Sequence, residues 1–318
     1  METTRLVADV GGTNCRVGLF NETSNTIGCI AEYRNRDYSC LEDVIGHWLA
    51  GLDAPAPTRG CIAAAAPPSG DRVNMINMGW SFSCRELANR FGLEQFLWLN
   101  DFQANAHALP HLGSDMLEPV CTGNPGEHRT LATVGPGTGL GGATLHWFDG
   151  IPVAGDGEPG HTGLSPATQL EIEIFKLLLQ DHGDIYTELL VSGAGLARLY
   201  QAIAQLKGTR PEQLPPPEIS RRALSAEDPL CVSALETFCA LLGSACGDFI
   251  LANGAYGGLF IAGGIVPRMT GFLQRSEFLS RMRAKGAMSQ FLESVPVNIV
   301  TEPYPGLIGA AHAPLQEA

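Results

Sequence analysis

Leu6-Val7-Ala8-Asp9-Val10-Gly11-Gly12-Thr13-Asn14-Cys15-Arg16-Val17-Gly18-Leu19-Phe20 decides the fold class. Two short apolar runs flank an Asp-x-Gly-Gly-Thr turn, a pattern that predicts strand, tight turn, strand. Paired glycines lack Cβ atoms, so successive backbone N–H groups can point at an anion. Asp9 stands two residues earlier, where a carboxylate can hold hydrated Mg²⁺ beside phosphates. Thr13 adds a hydroxyl donor. An ordinary glycine-containing hairpin accounts for the turn equally well, and the choice rests on the rest of the chain.

Leu6–Val10, Arg16–Phe20 and Thr26–Tyr33 predict an antiparallel meander. A helix follows, with Ser39 and Glu42 spaced as a capping box. The run Gly60–Ala66 predicts a buried strand, Ser83 and Glu86 a second capped helix stopped by Gly92, and Phe96–Leu99 another strand. Asn100-Asp101 lies at that strand's C-terminal end, where α/β sheets place their ligands. A second module starts near residue 112. It holds a strand at Leu131–Val134, a hairpin turned by Asp149-Gly150, and a strand at Leu259–Ala262. The rest is expected to be helical over Pro166–His182, Leu196–Leu206, Leu230–Asn253 and Met269–Ala284, with Pro211–Pro217 an exposed connector.

The chain has 318 residues, 17% of them charged and 45% hydrophobic, which suits two globular domains. A net charge of −13 without a basic run argues against a nucleic-acid surface. An acidic protein still binds a nucleotide where backbone amides and Mg²⁺ supply local positive potential. The acidic start predicts no signal peptide, and Phe238–Val266, interrupted by Asp248 and Asn253, predicts no membrane span. Gly243 and Gly247 there suggest close helix packing. Nine scattered cysteines without a C-x-x-C pair predict reduced cytosolic thiols.

Gly137, Gly139 and Gly142 satisfy G-x-G-x-x-G, yet the strand-like Ala143–Phe148 stands where a dinucleotide fold needs a helix. A second phosphate-contacting hairpin, with Thr138 in the role of Thr13, fits better. No Walker-type P-loop occurs. Gly263-Gly264 permits a flat ring to approach the backbone, or merely eases packing at a crossover. Asp101 serves either as part of an N-cap or as general base for a substrate hydroxyl. Glu158 and His161 can form a metal pair, but no third ligand is near in sequence and polyol recognition suits them better. Glu188 alone is an ordinary surface acid.

As an ordered set, Asp9–Asn14, Asn100-Asp101-Phe102, Gly137–Gly141 and Ala262–Arg268 resemble the bacterial-type glucokinases of the sugar kinase/Hsp70/actin superfamily. The resemblance runs nearly end to end. It implies an α/β, two-domain actin-like ATPase (ribonuclease H-like) fold with mixed central sheets and an interdomain cleft. The small domain would comprise residues 1–110 plus 303–318, and the larger one, with helical additions, residues 111–302. It further implies a cytoplasmic homodimer that phosphorylates D-glucose at O6 with ATP and Mg²⁺, the first step of glycolysis. By the same resemblance Asp101 is the catalytic base, and Asn77, Asn100, Glu158, His161 and Glu188 bind sugar hydroxyls. Asp9, Gly11, Gly12, Thr13 and Asn14 form the first phosphate motif, with Asp9 on the Mg²⁺ side. Gly137, Thr138 and Gly139 form the second, and Gly263, Gly264 and Val266 the adenosine motif. The chain departs from the family at Ile76-Asn77-Met78-Gly79-Trp80, where Thr-Asn-His-Thr-Trp is frequent. Pro136 replaces a small residue and Gly142 an aliphatic one. A kinase for fructose, mannose or an N-acetylhexosamine, and a sugar-sensing regulator, are the alternatives.

Overall fold

The opening turn joins antiparallel strands β1 (Thr4–Val10) and β2 (Asn14–Asn21), and β3 (Thr26–Arg34) completes the meander. In this computed structural model, residues 3–66, 70–75, 78–125 and 129–315 are described. They divide into two units: residues up to 112 with 145–156 and those from 302 onward, then residues 113–144 with 157–301.

In the first unit β4 (Arg59–Ala64) and β7 (Gln95–Asn100) extend the sheet in parallel, giving the order β3-β2-β1-β4-β7. Central β1 is apolar on both faces, as a doubly covered strand must be. Leu6, Ala8 and Val10 pack with Val44, Ile45 and Leu87 from the helices Leu41–Ala50 and Cys84–Phe91. Val7 points the other way, with Ala104 and Ala310 of the helices Asp101–Ala108 and Pro305–His312. Those two helices touch closely enough that a Cβ on Gly309 would run into the Ala104 carbonyl. A small hairpin, β5 (Arg72–Asn74) with β6 (Ser81–Ser83), lies before the second helix.

The register puts Val10 beside Ala64 and Ala64 beside Asn100. The glycine turn and Asp101 therefore leave the same end of the sheet, two inter-strand steps or roughly 10 Å apart.

A six-stranded sheet comprises β8 (Leu117–Cys121), β9 (Leu131–Pro136), β10 (Leu140–Phe148), β11 (Ile151–Gly157), β12 (Gly258–Ile261) and β13 (Val297–Val300), most of it in the second unit, with residues 145–156 of β10 and β11 grouped in the first. Their order is β11-β10-β9-β12-β13-β8, with β9, β12 and β13 parallel and β8 antiparallel. Asp149 and Gly150, at φ 50° and 81°, turn the β10–β11 hairpin as their sequence predicts. The 25-residue helix Pro229–Asn253 runs through the core. It is long and apolar enough to cross a membrane, but most of it is buried within the protein. Gly243 and Gly247 meet the backbone carbonyls of Phe278 and Met282, so the small-residue pair serves helix packing. Nearby, buried Arg281 grips buried Glu171 bidentately, at 2.5 and 3.0 Å.

Several local expectations are corrected. Ser39 and Glu42 form no capping box: the N-cap is Cys40, without a side-chain cap. Pro216 is not loop but the first residue of a helix, Pro216–Leu224, a position that needs no N–H donor. Met269–Ala284 is two helices, Thr270–Arg275 and Phe278–Arg283, because Ser276 accepts from the Phe278 N–H and restarts the chain. Ser83, by contrast, caps through the Glu86 N–H at 3.2 Å.

Candidate active site

In the first unit the turn is closed by Gly11 N–H donating to the Asn14 carbonyl at 3.0 Å. Gly12 and Thr13 are exposed. Asp9 pairs in register with Arg16, whose guanidinium approaches its carboxylate only to 3.9 Å while stacking over Tyr304 at 4.9 Å. Burial pushes the Asp9 carboxyl above the ordinary carboxylate range, and Arg16 offsets this in part. The chain returns against this carboxylate at Gly306, where an added Cβ would lie 2.8 Å from Asp9 Cγ. Only a residue without a side chain fits there.

Asn100 is the N-cap of the Asp101–Ala108 helix. Its Oδ1 accepts from Phe102 N–H at 2.9 Å, and Gln103 closes the capping box from the other side. Its Nδ2 donates to the Ala66 carbonyl at 2.9 Å. Asp101 follows, half-buried, with Oδ1 accepting from Phe102 N–H at 3.1 Å. Asn100 is thus a bracket that aims Asp101 from the first turn of the helix. A cavity of about 610 Å³ in this unit is lined by Gly12, Thr13, Asn14, Asn35, Tyr38 and Trp80, among others. Asn77 lies outside the described residues.

In the second unit Gly137-Thr138-Gly139 turns β9 into β10, with Gly137 N–H donating to the Gly139 carbonyl at 2.8 Å. Gly193 N–H, at the start of the helix Gly193–Leu206, donates to the Gly137 carbonyl at 2.9 Å. Gly263, at φ +85°, rides on this turn: its missing Cβ would sit 2.7 Å from the Pro136 carbonyl. The two glycine motifs are therefore brought together, and only glycine permits it. Between them opens a cavity of about 940 Å³, walled by Thr138, Gly193, Gly264, Ile265, Arg268 and the Pro216-Pro217 helix start. Its size suits a nucleoside. Val266 is not in that wall: its side chain is fully buried in the core, and Ile265 takes the place.

Glu188 is no ordinary surface acid. Its Oε2 accepts from Leu140 N–H at 2.8 Å, pinning the end of the glycine turn from the short helix Thr187–Leu190. Glu158 and His161 are 65% and 63% exposed and 3.9 Å apart, with the imidazole stacked parallel to Tyr186 at 5.6 Å. Both present polar atoms to solvent on one loop. Pro159 of that loop occupies the room beside Gly142, where a Cβ would lie 2.7 Å from Pro159 Cγ. This explains the glycine at 142. The walls from Gly193 and Pro216 give no signal in the sequence, since they come from distant helices.

A family model described as Glucokinase matches residues 6–317. The chain belongs to the glucokinase family. A glucokinase from Chromobacterium violaceum is 43% identical over 313 residues, covering 96% of this chain and 88% of the relative. One from Saccharophagus degradans is 36% identical over 315 residues, 96% of each. The crystal structure of a glucokinase from an Antarctic psychrotroph aligns with a TM-score of 0.92 at 38% identity, covering 98% of each chain. The two mixed sheets are accordingly those of the actin-like kinase fold. Family membership fits the α/β, two-sheet architecture described above.

Proposed function

We propose that this protein transfers the γ-phosphoryl group of ATP to O6 of D-glucose, giving glucose 6-phosphate. The observation that carries the proposal is Asp101, placed by its N-cap at the sheet end that also bears the Asp-x-Gly-Gly-Thr turn, in a chain of the glucokinase family. Phosphoryl transfer passes through a loose transition state, so catalysis is mostly positioning and charge neutralisation. Asp101 orients the sugar hydroxyl and takes its proton, while the N–H groups of the glycine turns hold phosphate oxygens. Glu158, His161 and Glu188 are assigned to sugar hydroxyls, with Asn77 and Asn100 in supporting roles. Gly263, Gly264 and Val266 are the adenosine segment, with Ile265 contributing the cavity-facing side chain.

Among the described residues no cluster of three metal-ligating side chains occurs. Asp9 nevertheless fits Mg²⁺, which keeps several waters and needs only one or two carboxylates beside substrate phosphates. Burial disfavours the charge of Asp9, and its nearest cation stands 3.9 Å away, so a divalent ion would relieve it. When bound, Mg²⁺ neutralises phosphate charge. The domain assignment, 1–110 with 303–318 against 111–302, remains part of this proposal, as do the homodimer and the cytoplasmic location.

The test is a coupled assay on purified protein, crossing glucose, fructose, mannose and N-acetylglucosamine with ATP, ADP and polyphosphate. Glucose with ATP should give the highest kcat/KM. A different acceptor would move the protein to another hexose, a second possibility raised by Met78 and Gly79 standing where the family frequently has His and Thr. No turnover with any pair would overturn the kinase assignment.

A further inference from the structure

Asn35 touches the phosphate turn at two places, although 20 residues of chain separate them. It is 5% exposed and follows the last residue of β3. Its side-chain Nδ2 donates to the Gly11 carbonyl at 2.8 Å. Its backbone N–H donates to the Thr13 carbonyl at 2.9 Å. The 3-10 turn Asn35–Asp37 then fixes its own carbonyl through Tyr38 N–H at 3.1 Å. One buried residue thus clasps both flanks of a turn whose centre is exposed.

The consequence follows from peptide geometry. A trans peptide carries its C=O and N–H on opposite sides, and the structure has no cis bond among the described residues. Holding the Gly11 carbonyl toward Asn35 therefore turns the Gly12 N–H away from it. Glycine at 11 and 12 gives this peptide the freedom to flip, and the flip would replace an N–H by a carbonyl dipole at the phosphate. Asn35 removes that freedom. Its Oδ1 is buried and has no partner among the described residues. A side chain selected for burial alone would not carry such an atom, because an unsatisfied buried acceptor is unfavourable. The Nδ2 contact to Met78 Sδ, at 3.6 Å, is a weak second partner that adds little.

We infer that Asn35 is a positioning residue for the nucleotide, locking the Gly11–Gly12 peptide with its N–H directed at the phosphates of ATP. The inference rests on the kinase proposal, and Asn35 itself touches no substrate.

The test uses the full chain with Asn35→Leu, which keeps the number and branching of heavy atoms and removes the donor, and Asn35→Asp, which replaces the donor with a second acceptor. Binding of the non-hydrolysable analogue AMPPNP with Mg²⁺ and binding of glucose are each measured by calorimetry, with melting temperature alongside. Both variants should weaken AMPPNP about 10-fold or more, the order of one lost hydrogen bond to a charged group, while glucose affinity stays within about twofold of the parent. Asn35→Leu should melt near the parent because it also removes the orphan Oδ1. AMPPNP affinity within about twofold in the folded variants would overturn the inference. So would equal losses for AMPPNP and glucose, which mark a general structural role. If Asn35→Leu fails to fold, Asn35→Asp decides alone. A parent that binds AMPPNP but phosphorylates no glucose refutes the acceptor assignment and leaves the Asn35 comparison intact. A parent that binds no AMPPNP refutes both.

Discussion

Acid should destabilise this protein through two histidines, His107 and His312, starting below about pH 6.5. His111 and His312 stack face to face in the first unit, centroids 3.5 Å apart and planes within 8°. His107 lies one helical turn before His111 and is buried, its Nδ1 without a partner among the described residues. Burial pushes His107 down to about 4, with His111 adding to the effect. Burial likewise takes His312 to about 4, reinforced by His111 and by Arg5, which is itself paired with Glu22 at 3.0 Å. Both folded values lie below the unfolded value of 6.5. Between those limits the unfolded chain binds more protons, so stability is full above about pH 6.5 and is lost as pH falls toward 4. At about pH 5 the loss is about 2 kcal/mol for buried His107, and solvent screening makes it smaller for half-buried His312. Together that amounts to a drop of roughly 4–16 °C in Tm between about pH 7.5 and pH 5, at about 2–4 °C per kcal/mol. Glu171 acts in a separate window. Burial would raise it, but hydrogen bonds from Arg281 and Ala167 outweigh that and hold it below 4.5, so its contribution disappears only at lower pH. The assay is a thermal melt of the parent and of His107→Leu/His312→Phe at both pH values. The double variant should lose less than half as much Tm. An equal loss in parent and variant would refute protonation of this cluster as the cause.

Replacing Asp101 with Ala should lower kcat about 10²-fold or more while glucose still binds, as for loss of a general base; kcat within a few-fold of the parent would remove Asp101 from that role. Gly306→Ala forces a Cβ to within 2.8–3.1 Å of the Asp9 carboxyl group, and should destabilise by about 1–3 kcal/mol and raise the KM for Mg·ATP. An unchanged melt and KM would mean that the helix yields without cost. Arg281→Met strands the buried Glu171 carboxylate and should cost about 3–5 kcal/mol in urea unfolding, most of it recovered in Glu171→Leu/Arg281→Met. A double variant no more stable than the single one would show that lost packing, not stranded charge, is responsible.

What was legible in the sequence was local. The Asp9–Asn14 turn, the Ser83 cap, the Asp149-Gly150 hairpin and the Asn100 cap all announce themselves within four residues, the range over which backbone hydrogen bonds and φ preferences act. Failures came where distant partners decide. Glu188 has nothing near it in sequence, yet its partner is the Leu140 N–H, 48 residues earlier. The run Pro211–Pro217 reads as a loop, though proline is equally at home at the first helical position, which Pro216 takes. Asn35 gave no signal at all, since both carbonyls it holds belong to another strand connection. Within the Ala262–Arg268 segment, only packing reveals that Ile265 faces the cavity while the Val266 side chain is buried.

The helix Pro305–His312 sets an order of events in synthesis. It covers Val7, Cys61 and Leu99 of the first sheet and packs against the helix that begins with Asp101. A nascent chain that has already made the five strands of this sheet still lacks this cover. The ribosome must translate everything from Leu112 to Glu302 first, which at about 5–20 residues per second takes on the order of ten to forty seconds. During that interval one apolar face of the earliest sheet waits unsheathed, a natural target for chaperone capture. Messages interrupted before Gly306 would yield products with the Asp9–Asn14 turn and Asp101 present but without the backbone that packs on the Asp9 carboxyl group.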